Sequence, residues 1–209
     1  MSKRCVIIGA SPECDAVTVA EQVGKEDFVV CADGGYVYAV QAGIQPDLIV
    51  GDFDSSVFPE NMECETVVLP VRKDDTDVMY CVRECVKRGC SEVILLGVTG
   101  GRCDHTYANY CILLYLARRH IRAKIIDSEN EIFVLCPAES ARIEGMYGHT
   151  FSIFPFGCGK CTVTLKGFEY SLEKGVLNTE FPLGVSNVIQ YFNAEITVHD
   201  GSALCILNK

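Results

Sequence analysis

The first two thirds of the chain alternate short apolar runs with stretches of helical periodicity, and this alternation limits the fold more than any other feature. The apolar runs predict strands at 5–8, 28–32, 48–50, 65–69, 92–96 and 123–126. Helical patterns lie between them, near 16–23, 36–42, 77–88 and 105–119. Strands that alternate with helices form a parallel sheet with crossover helices. We therefore predict an α/β fold that begins with a Rossmann-like parallel domain.

The pattern changes after Cys136 and Pro137. The rest of the chain holds short runs of alternating polarity without a helical pattern, at 149–154, 161–165, 186–192, 195–199 and 203–207. Such runs, punctuated by Gly and Pro, are typical of antiparallel sheets. We predict two domains: an α/β domain over 1–136 and an antiparallel, β-sandwich-like domain over 137–209.

Composition excludes several classes of protein. Hydrophobic residues make up 49% of the 209 residues, which is enough for a core and too much for a disordered chain. A net charge of −10 argues against nucleic-acid binding through a basic surface. The longest apolar run, 110–117, is far shorter than the roughly 20 residues that span a bilayer as a helix. We expect a cytoplasmic protein with neither a nucleic-acid nor a membrane partner.

Thirteen cysteines are present, and most of them lie in apolar patterns, where a thiol behaves as a small hydrophobe. Cys158 and Cys161 have the spacing of metal ligands, although one such pair is weak evidence for zinc. The favoured interpretation is a glycine-containing turn with two incidental thiols. A zinc or thiol-redox protein is the alternative.

Four polar clusters follow predicted strands of the α/β part. They read ADGG at 32–35, GDFDS at 51–55, KDDTD at 73–77 and GGRCDH at 100–105. Ligands of open parallel sheets bind outside the carboxyl ends of the strands. The clusters are therefore placed to converge, although they are far apart in sequence.

The stretch 47–77 carries nine carboxylates against two cationic side chains. Asp52 and Asp54 flank Phe53, so in an extended segment both carboxylates face one site. Two carboxylates so close repel each other unless a cation lies between them, and Mg²⁺ prefers such oxygen ligands. An ordinary turn, with Asp52 and Ser55 bonded to local amides, explains this cluster equally well.

Two further clusters, at 73–77 and 100–105, lie at the start of predicted helices. At 73–77, Asp75 or Thr76 is a sound helix N-cap, and Asp77 is placed to supply a third metal oxygen. At 100–102, Gly100 and Gly101 form a loop whose amides suit phosphate, and Arg102 adds a permanent charge. His105 is as easily a helix residue as a catalytic one. Together the clusters indicate metal-assisted phosphoryl chemistry.

The ordered set ADGG, GDFDS, KDDTD, GGRCDH with Asn109, and GVSN at 184–187 resembles the thiamin pyrophosphokinase family of the bacterial type. The resemblance covers most of the chain. It implies an α/β domain followed by a β-sandwich-like domain, in a homodimer with active sites at the interface. It also implies a transferase that moves the diphosphoryl group of ATP to the hydroxyl of thiamin, giving thiamin diphosphate and AMP.

Residue roles follow from this resemblance motif by motif. It implies Mg²⁺ ligands at Asp52, Asp54 and Asp77, with Asp33 and Asp74 beside the metal and phosphates. It implies a catalytic set of Asp54, Asp77, Arg102 and Asp104, and an ATP or phosphate site of Asp33, Gly34, Asp74, Thr76, Gly100, Gly101, Arg102, His105 and Asn109. Ser186 and Asn187 would bind thiamin across the interface.

The chain also departs from the family pattern. Animal members place a tryptophan just past the Ser-Asn pair to stack on thiamin, whereas this chain has Val188 and no tryptophan. Phe154, Phe156 and Tyr191 are candidate replacements. The alternatives left open are a Mg²⁺-dependent diphosphokinase acting on another alcohol, such as a hydroxymethylpterin, and a non-catalytic nucleotide-binding module.

Overall fold

The computed structural model describes residues 4–52, 64–70 and 74–209, which form two compact units. The first unit reaches to Ile112 and also includes 120–128. The second comprises 113–119 and 129–209. β7 (Asn130–Leu135) therefore belongs to the second unit of the structure, whereas the predicted boundary at 136 places it in the first domain. The assignment of separate functions to the two domains stays a prediction.

The first unit is built on a parallel sheet, as its alternating pattern predicts. Its strands are β1 (Arg4–Ile8), β2 (Phe28–Ala32), β3 (Leu48–Gly51), β4 (Glu65–Val68), β5 (Glu92–Leu96) and β6 (Arg122–Ile126). Their order is β6-β5-β1-β2-β3-β4, with every neighbouring pair parallel. The last four residues of β1, β2 and β5 are buried, because helices cover both faces of such a sheet. All six predicted strands are confirmed.

Four helices connect these strands: α1 (Ala16–Gln22), α2 (Tyr36–Gln41), α3 (Asp77–Lys87) and α4 (Cys103–Ala117). Asp15 is the N-cap of α1, and its carboxylate accepts a hydrogen bond of 2.7 Å from the Thr18 amide. α3 ends before Gly89, whose φ of +74° is the left-handed conformation expected after a helix. α4 starts two residues earlier than predicted and contributes residues to both units. No helix in the described ranges is long and apolar enough to cross a membrane.

The second unit consists of two antiparallel sheets. Their strands are β7 (Asn130–Leu135), β8 (Ser140–Glu144), β9 (Thr150–Pro155), β10 (Lys160–Lys166), β11 (Leu172–Asn178), β12 (Asn187–Val188), β13 (Asn193–Asp200) and β14 (Ala203–Asn208). One sheet has the order β12-β9-β14-β7 and the other β11-β10-β13-β8. Buried side chains of both sheets, among them Phe151, Val163 and Ile196, form one core. This confirms the sandwich-like prediction.

The sequence pattern does not predict three strands of the second unit, and one predicted strand is longer than the strand in the structure. β11 is mostly exposed and contains charged residues and Gly175, so it shows little hydrophobic alternation. β8 buries only Ile143, and β7 lies beside the predicted boundary. The run predicted over 186–192 forms a strand only at Asn187 and Val188: Ser186 before it has a φ of +55°, and Ile189 after it makes only an isolated bridge to Phe168.

Candidate active site

A cavity of about 560 Å³ lies at the carboxyl edge of the parallel sheet in the first unit. β1 and β5 are neighbours there, yet the chain continues from β1 toward one side of the sheet and from β5 toward the other. Ligands of open α/β sheets bind at such a switch point, since the two loops separate and leave a crevice. The cavity is lined by residues following β1, β2, β3 and β5 and by the first residues of α3 and α4.

The loop after β1, residues 9–12, lines this cavity, and sequence reasoning missed it. Its signal was a glycine at the end of the first strand, followed by Ser and Pro. The loop is tied to the loop after β5: the Ser11 amide donates to Gly97 O at 3.0 Å, and the Ser11 hydroxyl donates to Thr99 O. A Cβ on Gly9 would stand 2.5 Å from Gly97 O. Only glycine allows this approach of the two backbones.

Four carboxylate residues reach the cavity from three parts of the sequence. Asp33 follows β2, Asp52 follows β3, and Asp75 and Asp77 lie at the start of α3. Asp33 has a φ of +50°, an uncommon conformation for a residue other than glycine. Two of these residues, Asp52 and Asp77, are predicted metal ligands. The structure thus places acidic groups from three parts of the sequence around one cavity, which local turns alone do not explain.

The start of α3 combines capping with this acidic surface. Thr76 is the N-cap, and its hydroxyl accepts a hydrogen bond of 3.1 Å from the Met79 amide. Asp75 forms an ion pair with Arg83 at 2.7 Å, so one of the two acidic neighbours of the cap has a cationic partner within the helix. Asp77 is the first residue of α3, where the helix dipole favours a negative charge.

The loop after β5 is held to α4 by buried polar contacts. Asn109 is 5% exposed, and its amide donates to Val98 O at 2.7 Å. Gly100 and Gly101 have φ values of +80° and +56°. The Gly101 amide, which the sequence assigns to phosphate, donates to the Glu13 carboxylate at 3.4 Å. Asn109 therefore positions this loop, and Glu13 faces its glycines.

Arg102 stands at the edge of the cavity and binds Asp104 through two hydrogen bonds of 3.1 and 2.6 Å. These bonds hold the pKa of the exposed Asp104 carboxyl below its usual range, and they raise the pKa of Arg102. A carboxylate with a lowered pKa is a weaker base. Asp104 itself does not line the cavity.

Comparison with known proteins covers both units. The family model described as thiamin pyrophosphokinase, catalytic domain, matches residues 19–125. The model described as thiamin pyrophosphokinase, vitamin B1 binding domain, matches residues 137–202. The chain belongs to the thiamin pyrophosphokinase family.

Individual members of the thiamin pyrophosphokinase family agree with this assignment. Thiamine pyrophosphokinase of Bacillus subtilis is 29% identical over 85% of this chain and 75% of its own length. Thiamine pyrophosphokinase 1 of rice (Oryza sativa) is 26% identical over 80% of this chain and 74% of its own length. The fold is similar to a crystal structure of the Bacillus subtilis enzyme, with a TM-score of 0.88 at 23% identity over 99% of both chains. The Geobacillus thermodenitrificans structure gives 0.83 at 25% identity, over 99% of this chain and 97% of that one.

The donor set of the cavity fits the magnesium ion that the family resemblance implies. Asp52 and Asp77 offer carboxylate oxygens, the hard ligands that Mg²⁺ prefers, and Asp33 and Asp75 line the same space. Asp54, the third predicted ligand, lies outside the described residues, as does Lys73. Gly34, Asp74 and Gly101 belong to the same loops but do not line the cavity, whereas Thr76, Gly100 and His105 do.

The two residues assigned to thiamin lie in the second unit, where their contacts are local. Asn187 is 6% exposed and its side chain spans the backbone of Tyr170, accepting from Tyr170 N at 3.0 Å and donating to Tyr170 O at 2.8 Å. The Ser186 amide donates to the Ser152 hydroxyl at 3.0 Å. Asn187 therefore fixes the position of Tyr170, whose own side chain is 68% exposed.

The cysteine pair of the second unit does not form a ligand cluster. Cys158 exchanges hydrogen bonds of 3.4 Å with the backbone of Ser202, and Cys161 is buried in the sandwich core. Among the described residues, no third metal-ligating side chain joins the pair. The turn interpretation therefore holds for Cys158, whereas Cys161 lies in β10 as a core residue.

Proposed function

We propose that the protein is a thiamin diphosphokinase, which transfers the β,γ-diphosphoryl group of ATP to the hydroxyl of thiamin and releases AMP. The observation that carries this proposal is the meeting of Asp33, Asp52, Asp77 and Arg102 around one cavity, in a chain matched by both family models. A pterin diphosphokinase and a non-catalytic nucleotide-binding module are not favoured, since the second unit matches the vitamin B1 binding model.

ATP would bind with its phosphates at the switch point between β1 and β5. Arg102 offers a planar charged group to phosphate oxygens, and the 9–12 loop lines the same cavity at the end of β1. Asp52 and Asp77, with Asp54, would hold Mg²⁺. The ion supplies neutralisation of phosphate charge, which is the main requirement of phosphoryl transfer.

The transfer itself forms one bond and breaks one. The thiamin hydroxyl oxygen attacks the β-phosphorus, and the bond from that phosphorus to the oxygen bridging to the α-phosphorus breaks. The electron pair of the broken bond leaves with AMP, and the hydroxyl proton is released. Asp104 does not line the cavity and its carboxylate is bound to Arg102, so we assign it the orientation of Arg102 and not the acceptance of this proton.

The direct test is AMP release from ATP and Mg²⁺, with and without thiamin, while thiamin diphosphate is followed by its fluorescent oxidation product. We expect thiamin-dependent AMP and thiamin diphosphate in equal amounts. ADP in place of AMP would show single phosphoryl transfer and contradict the mechanism. Turnover with a hydroxymethylpterin and none with thiamin would favour the other alcohol.

Tyr170 is the aromatic residue that we propose as the platform for thiamin. Asn187 holds its backbone through both the N–H and the carbonyl group, so its exposed ring projects from a backbone of fixed position. Thiamin carries a cationic thiazolium ring, and an aromatic face attracts such a cation. Among the three earlier candidates, Tyr191 is 67% exposed, while Phe154 and Phe156 are only partly exposed.

Replacing Tyr170 with alanine is expected to raise the KM for thiamin at least about tenfold, equivalent to about 1.4 kcal/mol. Tyr170→Phe keeps the ring and is expected to stay near the wild-type KM. Tyr147→Ala is the matched control, because Tyr147 lies in the same unit and is equally exposed at 68%. A raised KM in Tyr191→Ala together with an unchanged KM in Tyr170→Ala would transfer the role to Tyr191.

A homodimer belongs to this proposal, supported by the apolar surface of the second unit. Seven large side chains are more than half exposed within 170–192: Tyr170, Val176, Phe181, Leu183, Val185, Tyr191 and Phe192. Exposed apolar patches of this kind mark interaction sites. We place the enzyme in the cytoplasm, since exposed thiols such as those of Cys103 and Cys111 are characteristic of a reducing compartment.

A further inference from the structure

Three buried cysteines of the first unit bring their sulfur atoms together at a place that the proposed reaction does not use. Cys5 lies on β1, Cys85 in the last turn of α3, and Cys90 just after α3. Their Sγ atoms all lie within 4.8 Å of one another. Cys5 and Cys85 have no exposed surface, and Cys90 is 3% exposed.

The end of α3 explains why two of these thiols meet. The Cys90 amide donates to Cys85 O at 3.1 Å, and the Gly89 amide donates to Val86 O at 3.0 Å. This pair of bonds, with Gly89 in the left-handed conformation, is a Schellman motif. The motif brings the side chain that follows the glycine against the last turn of the helix. Cys90 thus contacts Cys85, and α3 packs this pair against Cys5 on β1.

We propose that Cys5, Cys85 and Cys90 form a three-thiolate binding site for a single soft cation, Cu(I). Thiolate ligands select soft metals, chiefly Cu(I), zinc and iron–sulfur clusters. Structural zinc sites almost always have four ligands, and no fourth ligating side chain joins these three among the described residues. Cu(I) is satisfied by two or three sulfur ligands, so the group is complete for this ion.

The dimensions of the cluster suit one ion. At a metal–sulfur bond length of about 2.3 Å, three sulfurs placed evenly around one ion lie about 4.0 Å apart. The separations in the protein, all within 4.8 Å, exceed this distance by at most about 0.8 Å, a difference that small movements of the side chains can close. Gly89, next to Cys90, borders open space, because a Cβ placed on it would meet no atom within 4 Å. The turn beside Cys90 is therefore open to solvent.

Binding of Cu(I) requires the loss of thiol protons. Hydrogen bonds with Cys85 and Cys90, together with burial, raise the pKa of Cys5, so the ion must displace a proton from this thiol. Each sulfur that binds Cu(I) releases its proton to solvent, and no electron is transferred. The positive charge of Arg88 near Cys85 partly offsets the negative charge that remains.

The test is a titration of the reduced, full-length protein with Cu(I) under anaerobic conditions, in competition with a chromophoric Cu(I) chelator. We expect the wild type to retain one Cu(I) per chain. Cys5→Ser and Cys90→Ser are each expected to weaken binding at least about a hundredfold, since each removes a direct ligand. Cys103→Ser/Cys111→Ser, which removes two exposed thiols, is the matched control and is expected to bind as the wild type does.

X-ray absorption of the copper-loaded wild type keeps the test independent of whether the variants fold. A shell of three sulfur atoms is the expected result. A shell containing oxygen or nitrogen, or no retained copper, would overturn the proposal. So would copper binding that the surface double variant abolishes and that Cys5→Ser leaves intact. One retained zinc ion with the same cysteine dependence, and no copper, would show that the choice of Cu(I) is wrong.

Discussion

Asp77→Asn is expected to lower kcat for thiamin diphosphate formation by on the order of 10²–10³-fold, because it removes a charge from the group that neutralises the phosphates. Asp77 lines the cavity from the first turn of α3, opposite the loops that follow β1 and β5. The substitution keeps the size of the side chain, and Thr76 continues to cap the helix. The measurement is the rate of AMP release at saturating ATP, thiamin and Mg²⁺.

Asp75→Asn is the matched comparison for this variant. Asp75 lies two residues away and also lines the cavity, and its carboxylate forms an ion pair with Arg83 at 2.7 Å. We expect its effect on kcat to stay below about tenfold, because the Arg83 guanidinium already offsets the charge of this carboxylate. Equal losses in both variants would indicate that the region acts through its total charge. A wild-type rate in Asp77→Asn would remove Asp77 from the metal site.

The Asp77 variant also tests the shared site that a homodimer implies. Asp77 lies in the first unit and Tyr170 in the second. If one subunit supplies the phosphate cavity and its partner the thiamin platform, mixed dimers of Asp77→Asn and Tyr170→Ala subunits contain one site with neither change. At a thiamin concentration below the KM of the Tyr170 variant, the mixture is then expected to be more active than the sum of the two separate proteins. No such gain, with subunit exchange verified, would place both residues in the site of one chain.

Gly35→Ala is expected to destabilise the first unit by more than about 3 kcal/mol, beyond the usual range for an overpacked core. A Cβ at this position would stand 2.1 Å from Ile8 O and 3.0 Å from Gly9 O, both backbone atoms at the end of β1. Neither can move without breaking β1 pairing or displacing the 9–12 loop of the cavity. In a scanning calorimeter the variant is expected to unfold about 10 °C or more below the wild type.

The adjacent glycine provides the control. Gly34 meets only the Cβ of Ala10, at an ordinary 3.5 Å, so Gly34→Ala has room for its methyl group. Because alanine also reduces the entropy of the unfolded chain, Gly34→Ala is expected to be neutral or stabilising by up to about 1 kcal/mol. Similar losses in both variants would mean that backbone freedom, and not the approach to Ile8, requires glycine at this turn.

Local patterns in the sequence predict the secondary structure of the first unit well and that of the second less completely. Buried parallel strands such as β1 and β5 are continuous apolar runs, and Thr76 and Gly89 mark the limits of α3. β11 leaves no such signal, because most of its side chains face solvent. Its place is set by pairing with β10.

Site residues were predictable where a motif carries its own chemistry. Asp33, Asp52, Asp77 and Arg102 stand out as charged side chains directly after strands or before helices, and all four reach the cavity. The loop at 9–12 has no charged group, so its part in the site becomes visible only when β1 is found beside β5. The family motif predicts that Asn187 binds thiamin, yet the hydrogen bonds of its side chain are made with the backbone of Tyr170.

The sequence by itself determined the order of elements, the α/β unit followed by an all-β unit, and the family, because these follow from periodicity and from motifs in a fixed order. The tertiary structure decided which loops meet, since the order of strands in a sheet is set by packing between distant segments. It decided that Gly35 must approach Ile8 and that Tyr170 is clamped. It also decided that Cys5 lies beside Cys85 and Cys90, because no local sequence pattern predicts the contact between β1 and α3.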